Sequence, residues 1–452
     1  MGFSPYSLLR EPWLPFRRRG GGRRWIAPHE IVVGDGANAL AAPDWGRADF
    51  DAATLEFLIG LLATAYAAQD TRQWAERFDT PPSADTLNQS FSFFAAVFDL
   101  DGDGPRFMQD FDNLGGDACP VSGLFIEAPG ANTERNNADL FQKRGRITRL
   151  GMPAVAIALF TLQTFAPTGG AGHRTSLRGG GPLTTLALPP PERDTLWRRL
   201  YLNVPDRLQS VAEDHSRIFS WMAATLTSEG KNRATGPEDV HPLAAFWGTP
   251  RRIRLDFSDA DGSQCDLTGD AATRSVVTYR TKPWGVSYRA MKHPLSPMRR
   301  DKPGSEWLFV HPQPGGLSYR DWVDLALSEA GDSLNRRPAE TVLTARDRLR
   351  ALRLGRSARL AAFGYDMDNM KARGFVEAPF RCSCFPARKQ MQRSTTPRGG
   401  SSLARRKLRP RLHTPCARLS TSTPPTRAFS AGFGRPSMPR PASHSSRRCQ
   451  IS

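Results

Sequence analysis

The last 72 residues of the chain have a composition that cannot build a packed core. Residues 381–452 contain 14 Arg, 2 Lys, 12 Ser and 9 Pro but no Asp or Glu, and apolar residues show no period there. Such a segment buries too little apolar surface to offset the entropy lost on ordering. The fold must therefore come from the residues before about 379, and we expect a disordered basic tail after them.

Setting the tail aside changes the meaning of the net charge. The whole chain has a formal charge of +18, yet residues 1–380 hold 46 basic and 44 acidic side chains. The folded part is thus nearly neutral, and overall basicity does not identify it as a nucleic-acid-binding domain. Local patches would have to provide any such binding.

Cysteine usage and hydropathy indicate a cytoplasmic protein. Cys119 and Cys265 lie in the first 380 residues and four cysteines lie in the tail, without the spacing of a disulfide framework or a zinc site. No run of eighteen apolar residues occurs, and the N-terminus lacks the apolar core of a signal peptide. We expect reduced thiols, no bound metal or other cofactor, and no membrane-spanning segment.

Hydrophobic periodicity predicts an α+β fold of mixed helices and short sheets. The predicted helices cover residues 51–69, with Asp51 as the N-cap, and 84–98, 152–165, 192–204, 318–327 and 345–354. The predicted strands cover residues 7–15, 24–33, 184–188, 251–257, 275–289 and 358–365. A hairpin-like turn is predicted over 17–24 and a long polar loop over 131–149.

Two glycine clusters with basic residues between them form the most informative stretch. Gly169–Gly172 and Gly179–Gly181 enclose His173, Arg174 and Arg178. Glycine permits positive φ and lets backbone N–H groups approach a ligand, and arginine adds a planar set of donors. The combination is typical of a loop that contacts phosphates or a narrow groove, although a flexible surface loop has the same composition.

Two other motifs are imperfect matches to known binding sequences. Residues 99–110 space their carboxylates as an EF-hand does, but Pro105 and Arg106 occupy positions that the motif gives to other residue types. Residues 172–175 resemble the end of a Walker A sequence without its lysine, and no HExxH or GxSxG sequence occurs. We therefore expect no calcium site, and we predict that the protein is not an enzyme.

Seven short segments match, in order, motifs of one known family. They are Leu8–Pro15, Phe57–Leu62, Gly104–Gln109, Ala166–Leu186, His293–Pro297, His311–Gly316 and Phe363–Arg373. The chain resembles the CasA family, the large subunit of the type I-E CRISPR Cascade complex, and ordered matches are more specific together than singly. The resemblance implies crRNA, other Cascade subunits, double-stranded DNA and a helicase-nuclease as partners.

The resemblance also implies which residues read DNA. CasA proteins recognise the protospacer-adjacent motif (PAM) from the minor groove and begin strand separation, while the guide RNA supplies the remaining specificity by base pairing. The implied DNA-binding residues are Gly169, Gly170, Ala171 and Gly172 in the glycine loop, Lys282 with Arg280 as a second candidate, and Asn369 as the wedge beside Met370. Phe141 lies in the segment that resembles the family's dock for the crRNA 5′ handle and a neighbouring subunit.

The C-terminal helical bundle of CasA proteins has no counterpart after residue 378. We therefore divide the chain into a CasA-like body, residues 1–378, and a tail, residues 379–452. The tail is either a natural disordered extension or sequence translated in a shifted reading frame; the abrupt change near Pro379 favours the second, which the nucleotide sequence would test. Without the bundle, recruitment of the helicase-nuclease would be impaired.

Two other function classes compete with this interpretation. A stand-alone protein could bind nucleic acid without sequence preference through its basic tail, which predicts strongly salt-sensitive binding. An enzyme built on the glycine loops would require a closed pocket beside Gly172 with convergent titratable groups.

Overall fold

The computed structural model describes residues 4–137, 143–170, 172–206, 215–230, 234–260, 262–318, 321, 325–326, 335–354, 359–368 and 371–381. Most of the helix predicted over 318–327 falls outside these ranges. So do Phe141, Ala171, Asn369, Met370 and the tail from residue 382 onward.

The described residues form an α+β fold, which confirms the predicted class. The α-helices are α1 (Ala48–Ala65), α2 (Thr71–Asp79), α3 (Ala84–Ser92), α4 (Ala131–Arg135), α5 (Met152–Phe165), α6 (Leu196–Tyr201) and α7 (Glu340–Ala351). Short 3-10 helices cover Pro28–Val32, Gly36–Asn38, Ala95–Phe98, Val121–Leu124, Pro191–Arg193, His215–Arg217, Ser220–Met222 and Pro242–Phe246. None of the described helices is long and apolar enough to span a membrane.

The strands are short apart from two long hairpins. They are β1 (Leu14–Arg18), β2 (Arg23–Ile26), β3 (Leu40–Pro43), β4 (Cys119–Pro120), β5 (Leu150–Gly151), β6 (Thr184–Leu188), β7 (Arg252–Asp259), β8 (Arg274–Lys282), β9 (Met298–Arg299), β10 (Leu308–Phe309), β11 (Arg336–Arg337), β12 (Arg359–Asp368) and β13 (Lys371–Arg381). They form sheets in the orders β2-β1-β3, β10-β9-β11 and β13-β12-β6, and a fourth sheet in which β8 pairs with β4, β5 and β7. Each of these pairings is antiparallel.

The core forms around α1 and α5, whose residues are apolar on nearly every side. Phe57 of α1 is fully buried, and its ring makes edge-to-face contacts with Trp13, Phe98, Phe107, Phe160 and Trp247 at centroid distances of 5.2–6.1 Å. Such contacts stabilise a core beyond the burial of apolar area. The segments that carry these rings are therefore held rigidly beneath the loops that follow α5.

Several predicted elements differ from the structure at their ends. Helix α1 begins at Ala48, so Asp51 is not its N-cap; the Asp51 carboxylate instead accepts the Trp45 N–H at 2.9 Å. Burial raises the pKa of Asp51 to about 6. The helix predicted over 84–98 is two elements, because α3 ends at Ser92 and a 3-10 turn follows. The strand predicted over 275–289 ends at Lys282.

Helix α2 and strand β13 are among the elements that were not predicted from the sequence, and helix α4 lies within the predicted loop over 131–149. Helix α2 is mostly polar and buries only Trp74 and Phe78, so its apolar stripe consists of two residues, although Asp70 caps it by accepting the Gln73 N–H. Strand β13 runs through Pro379 to Arg381, beyond residue 378. Among the described strands β13 pairs with β12 alone, which makes it an edge strand, where proline is tolerated.

Candidate nucleic-acid interface

The glycine stretch forms a loop between the end of α5 and the start of β6. Both ends match the sequence prediction, at Phe165 and Thr184. The loop is closed at its base, because the Ser176 N–H donates to the Ala166 carbonyl at 3.0 Å and the Gly181 N–H donates to the Phe165 carbonyl at 3.1 Å. It is thus a fixed projection that begins at the end of a buried helix.

The first glycine cluster lies at the surface. Gly169 is exposed, and Gly170 and Gly172 are partly exposed, with φ angles of +65° and +85° at the latter two. The His173 N–H donates to the Gly170 carbonyl at 2.8 Å, which makes this a tight turn. The positive φ values require glycine at both positions, since other residues are strained there.

A positive charge lies directly beneath this turn. The Arg251 guanidinium donates to the Pro167 carbonyl, and a Cβ atom added at Gly169 would clash with Arg251 Nη1. Burial lowers the pKa of Arg251 to about 10, so its guanidinium remains charged at neutral pH. Burial and the Arg251 charge both lower the pKa of His173, which is therefore neutral at pH 7.

The turn is in contact with the end of β8. The Trp284 N–H donates to the Gly172 carbonyl at 3.0 Å, and a Cβ atom added at Gly172 would lie 3.0 Å from the Trp284 ring and 3.1 Å from Pro283. Trp284 itself has a φ of +65°, a conformation that a bulky residue adopts only where its surroundings impose it. The structure thus brings Gly172 next to the segment that begins with Lys282.

Lys282 ends β8 with its side chain exposed. It makes no ion pair with any carboxylate that the structure describes, so its ammonium group is open to solvent. The second candidate, Arg280, is engaged: it pairs with Asp256 at 3.4 Å and donates to the Gly116 carbonyl at 2.5 Å. Lys282 is therefore the better placed of the two for an external anion.

The basic residues within the glycine stretch have structural roles. Arg174 stacks on the Trp284 ring at 5.1 Å and donates Nε–H to Ser228 Oγ at 2.8 Å. Arg178 is fully buried and pairs with Glu56 of α1 at 2.7 Å. The interpretation of Arg178 as a loop cation available to phosphate is therefore wrong, because the buried Glu56 carboxylate requires a partner.

The second glycine cluster contacts the β12–β13 hairpin. A Cβ atom added at Gly181 would lie 2.8 Å from both Tyr365 and Met367. The Tyr365 hydroxyl donates to Asp49 at 2.6 Å, which attaches the hairpin to α1. The strands remain paired up to Asp368 and Lys371, next to the predicted wedge residue Asn369. One stretch of chain thus contacts both the Lys282 segment and the β12–β13 hairpin near its turn.

The EF-hand-like carboxylates serve as partners for arginines. Asp101 pairs with Arg274 and accepts the Tyr6 N–H at 2.6 Å, and Asp110 pairs with Arg252 at 2.6 Å. Across the described part of the chain, no group of three or more His, Cys, Asp or Glu side chains is placed to hold a metal ion.

Comparison with known proteins identifies the family. A model of the family described as CRISPR-associated protein Cse1 matches residues 7–404. This chain belongs to the Cse1 family. The resemblance to CasA is thereby confirmed, since a solved Thermus thermophilus structure carries both names, CasA and Cse1. The Cse1 match extends past residue 378, where the sequence motifs end.

Solved Cse1 structures share the fold of this chain. CasA from Thermus thermophilus is 18% identical with a TM-score of 0.62, and the match covers 86% of this chain and 75% of that chain. Cse1 from Acidimicrobium ferrooxidans is 19% identical with a TM-score of 0.59, covering 84% and 71%. A chain of a CRISPR RNA-guided surveillance complex is 17% identical with a TM-score of 0.58, covering 84% and 76%.

Sequence reasoning missed two residues of the interface. Trp284 follows Lys282 in the same segment, and the left-handed conformation of a tryptophan has no sequence signal. Arg251 lies 84 residues from Pro167 along the chain, so only the tertiary structure reveals the charge beneath the glycine turn.

Proposed function

We propose that this chain is the large subunit of a type I-E Cascade effector complex, and that it recognises the PAM of foreign double-stranded DNA and helps to start strand separation. Its partners would be crRNA, other Cascade subunits and the helicase-nuclease, and its role would be recognition rather than catalysis, in the cytoplasm. The observation that carries the proposal is the contact of one exposed glycine loop with both the Lys282 segment and the β12–β13 hairpin.

The form of the turn suits the minor groove. That groove is about 6 Å wide and offers a degenerate set of base-edge atoms, so a reader gains more from close fit than from long side chains. A turn built on Gly169, Gly170 and Gly172, with Ala171 between them, has only one small side chain. The Arg251 charge beneath it and Lys282 beside it would complement the negative potential of the groove.

The β12–β13 hairpin could support a wedge that separates the DNA strands. A wedge that unstacks a base step works against a cost of a few kcal/mol and needs rigid support. The Tyr365–Asp49 hydrogen bond and the Arg373–Asp366 pair at 2.6 Å provide such support close to the turn. Asn369 and Met370 would then enter the duplex beneath the PAM. Phe141 would dock against the crRNA 5′ handle and a neighbouring subunit.

The test is Gly172→Leu in reconstituted Cascade, with Gly304→Leu as the matched control. Both glycines have a φ of +85°, but a Cβ atom at Gly304 meets nothing within 4 Å, whereas one at Gly172 presses on Trp284. In a gel-shift assay we expect Gly172→Leu to weaken binding to PAM-containing duplex about tenfold or more, roughly 1.4 kcal/mol. Gly304→Leu should bind as the parent does. Unchanged PAM preference in Gly172→Leu would refute the proposal.

A further inference from the structure

A cavity of about 550 Å³ lies beside the β7–β8 hairpin, away from the glycine loop. Its lining includes four arginines, Arg106, Arg254, Arg274 and Arg280, three aspartates, Asp101, Asp103 and Asp256, and the ring of Phe257. The volume lies within the range of pockets that take small ligands. Four guanidinium groups around one cavity raise the question of what balances their charge.

Two of the four arginines are neutralised by neighbouring carboxylates. Arg274 pairs with Asp101, and Arg280 lies 3.4 Å from Asp256. Each of these pairs therefore adds little net charge to the cavity. What remains is the charge of Arg106 and Arg254 against that of Asp103, the third aspartate of the lining.

Arg106 and Arg254 have no carboxylate within salt-bridge distance among the described residues. Arg106 Nε–H donates to the Gly102 carbonyl at 2.8 Å, and Arg254 Nη1–H donates to the Asp110 carbonyl at 3.0 Å. The Arg254 side chain is only 7% exposed, and its Nε has no hydrogen-bond partner. Burial and the nearby Arg106 charge lower the pKa of Arg254 to about 10, so both groups are still charged at pH 7.

Arg254 is buried and Arg106 is half-buried. The carboxylates that act on them, Asp103, Asp256 and Asp110, lie beyond ion-pair distance, so an anion that contacts both guanidinium groups would be stabilised. Planar guanidinium groups match the oxygens of phosphate in paired hydrogen bonds. We propose that the Arg106–Arg254 cavity binds a phosphate group. The proposal does not depend on the function proposed above.

The position of the cavity on the hairpin suggests two sources of phosphate. Arg254 pairs with Arg280 across β7 and β8, and the next pair on the same face is Arg252 with Lys282, about 7 Å along the strands. A nucleic-acid backbone that reaches Lys282 could therefore present a phosphodiester to the cavity. A free phosphate or a phosphomonoester would use the same donors.

The test is calorimetric titration of the full chain with inorganic phosphate at constant ionic strength, with chloride as the balancing anion. The variants are Arg106→Gln and Arg254→Gln, and the matched control is Arg289→Gln, an exposed arginine that pairs with Glu238 elsewhere. We expect one saturable site in the parent and in Arg289→Gln, and binding at least about tenfold weaker in the cavity variants. The basic tail is common to all four proteins, so its weak binding cancels in the comparison.

A second measurement covers the case in which Arg254→Gln does not fold. Arg106 is the more exposed of the two, and phosphate should raise the Tm of the parent but not that of Arg106→Gln. Absence of a saturable site in the parent, or equal binding by Arg106→Gln and Arg289→Gln, would overturn the proposal. Because the titration needs neither DNA nor other subunits, its failure is distinct from a failure of the PAM experiment.

Competition between inorganic phosphate and other phosphate compounds then identifies which kind of molecule supplies the phosphate group. A short oligothymidylate without terminal phosphates should displace inorganic phosphate if the cavity holds a nucleic-acid backbone. If only a nucleoside monophosphate displaces it, the natural occupant is a free phosphate or phosphomonoester. Either result supports a phosphate site, and displacement by neither would contradict it.

Discussion

At the scale of single residues, the candidate interface contains buried charged side chains that stabilise its shape as well as charged side chains that face solvent. Arg178 pairs with Glu56 inside the protein and also donates to Thr184 and Ser296 at 2.8 and 2.9 Å. Burial lowers the pKa of Arg178, and the Glu56 carboxylate opposes that effect. The pair attaches the glycine stretch to α1, whereas Lys282 is exposed in the segment next to the turn.

Arg178→Met should destabilise the fold strongly. The substitution leaves the Glu56 carboxylate buried without a partner, which costs about 3–5 kcal/mol of unfolding free energy. Arg72→Met is the control, because Arg72 pairs with Glu76 on an exposed helix face, where the loss is about 0.5 kcal/mol or less. Urea denaturation followed by circular dichroism measures both. Equal losses in the two variants would show that the buried pair does not stabilise the fold.

Lys282→Ala should remove about one phosphate contact. If Lys282 neutralises a DNA phosphate, the slope of log affinity against log salt falls by roughly 0.9 for B-DNA. Lys302→Ala is the control, since Lys302 is also exposed but lies in a turn between β9 and β10. The measurement is duplex binding by Cascade over a range of salt concentrations. A slope and affinity that match those of Lys302→Ala would place Lys282 away from DNA.

At the scale of secondary-structure elements, the β12–β13 hairpin is positioned by what packs against its strands. Gly181 has a φ of +62° and lies against the Tyr365 backbone, so there is no room for a side chain between the loop and the hairpin. The Phe165 ring, at the end of α5, contacts Tyr365 and Phe375 at centroid distances of 5.9 and 6.3 Å. The hairpin therefore shares its support with the glycine loop.

Gly181→Ala should move the hairpin and slow strand separation. The added methyl group would lie 2.8 Å from the Tyr365 carbonyl oxygen, so the hairpin must shift. Gly269→Ala carries a comparable backbone strain, with a φ of +74°, but its methyl group would meet nothing within 4 Å. Duplex opening by Cascade can be followed with 2-aminopurine fluorescence next to the PAM. We expect several-fold slower opening for Gly181→Ala than for Gly269→Ala, and equal rates would argue against a wedge in this hairpin.

At the scale of the whole molecule, the positive charge and the proposed recognition site belong to different parts of the sequence. Residues 382–452 carry 13 Arg and 2 Lys of a chain whose formal charge is +18. The residues of the proposed site all precede residue 382. We therefore predict that non-specific DNA binding and preference for a PAM can be separated.

Removal of residues 382–452 should abolish most non-specific DNA binding and keep PAM preference in Cascade. The truncation follows Arg381 rather than residue 378, because β13 pairs with β12 through Arg381. Competition between PAM-containing and scrambled duplexes measures the preference. Loss of the preference together with the non-specific binding would favour the alternative of a protein that acts through its basic tail.

The sequence by itself determined the fold class, the family, and those elements whose signals are local. Helix α5 and strand β6 have the predicted ends because prolines follow both: an apolar run stops before Pro167, and the strand stops at Pro189. Ordered motifs identified the family for a similar reason, since each is contiguous in the chain. The split of α3 from the following 3-10 turn, and the short helix α2 with only two buried apolar residues, show that apolar spacing alone does not set the bounds of every element.

Only the tertiary structure decided which side chains of the proposed site are available. Arg178 and Arg174 looked alike in sequence, yet one pairs with Glu56, 122 residues away, and the other stacks on Trp284. The local conformational free energy of a loop residue is similar whether its side chain points inward or outward. Its direction is set by a distant charge or ring that gains from burial with it, and contacts of that kind have no period in the sequence.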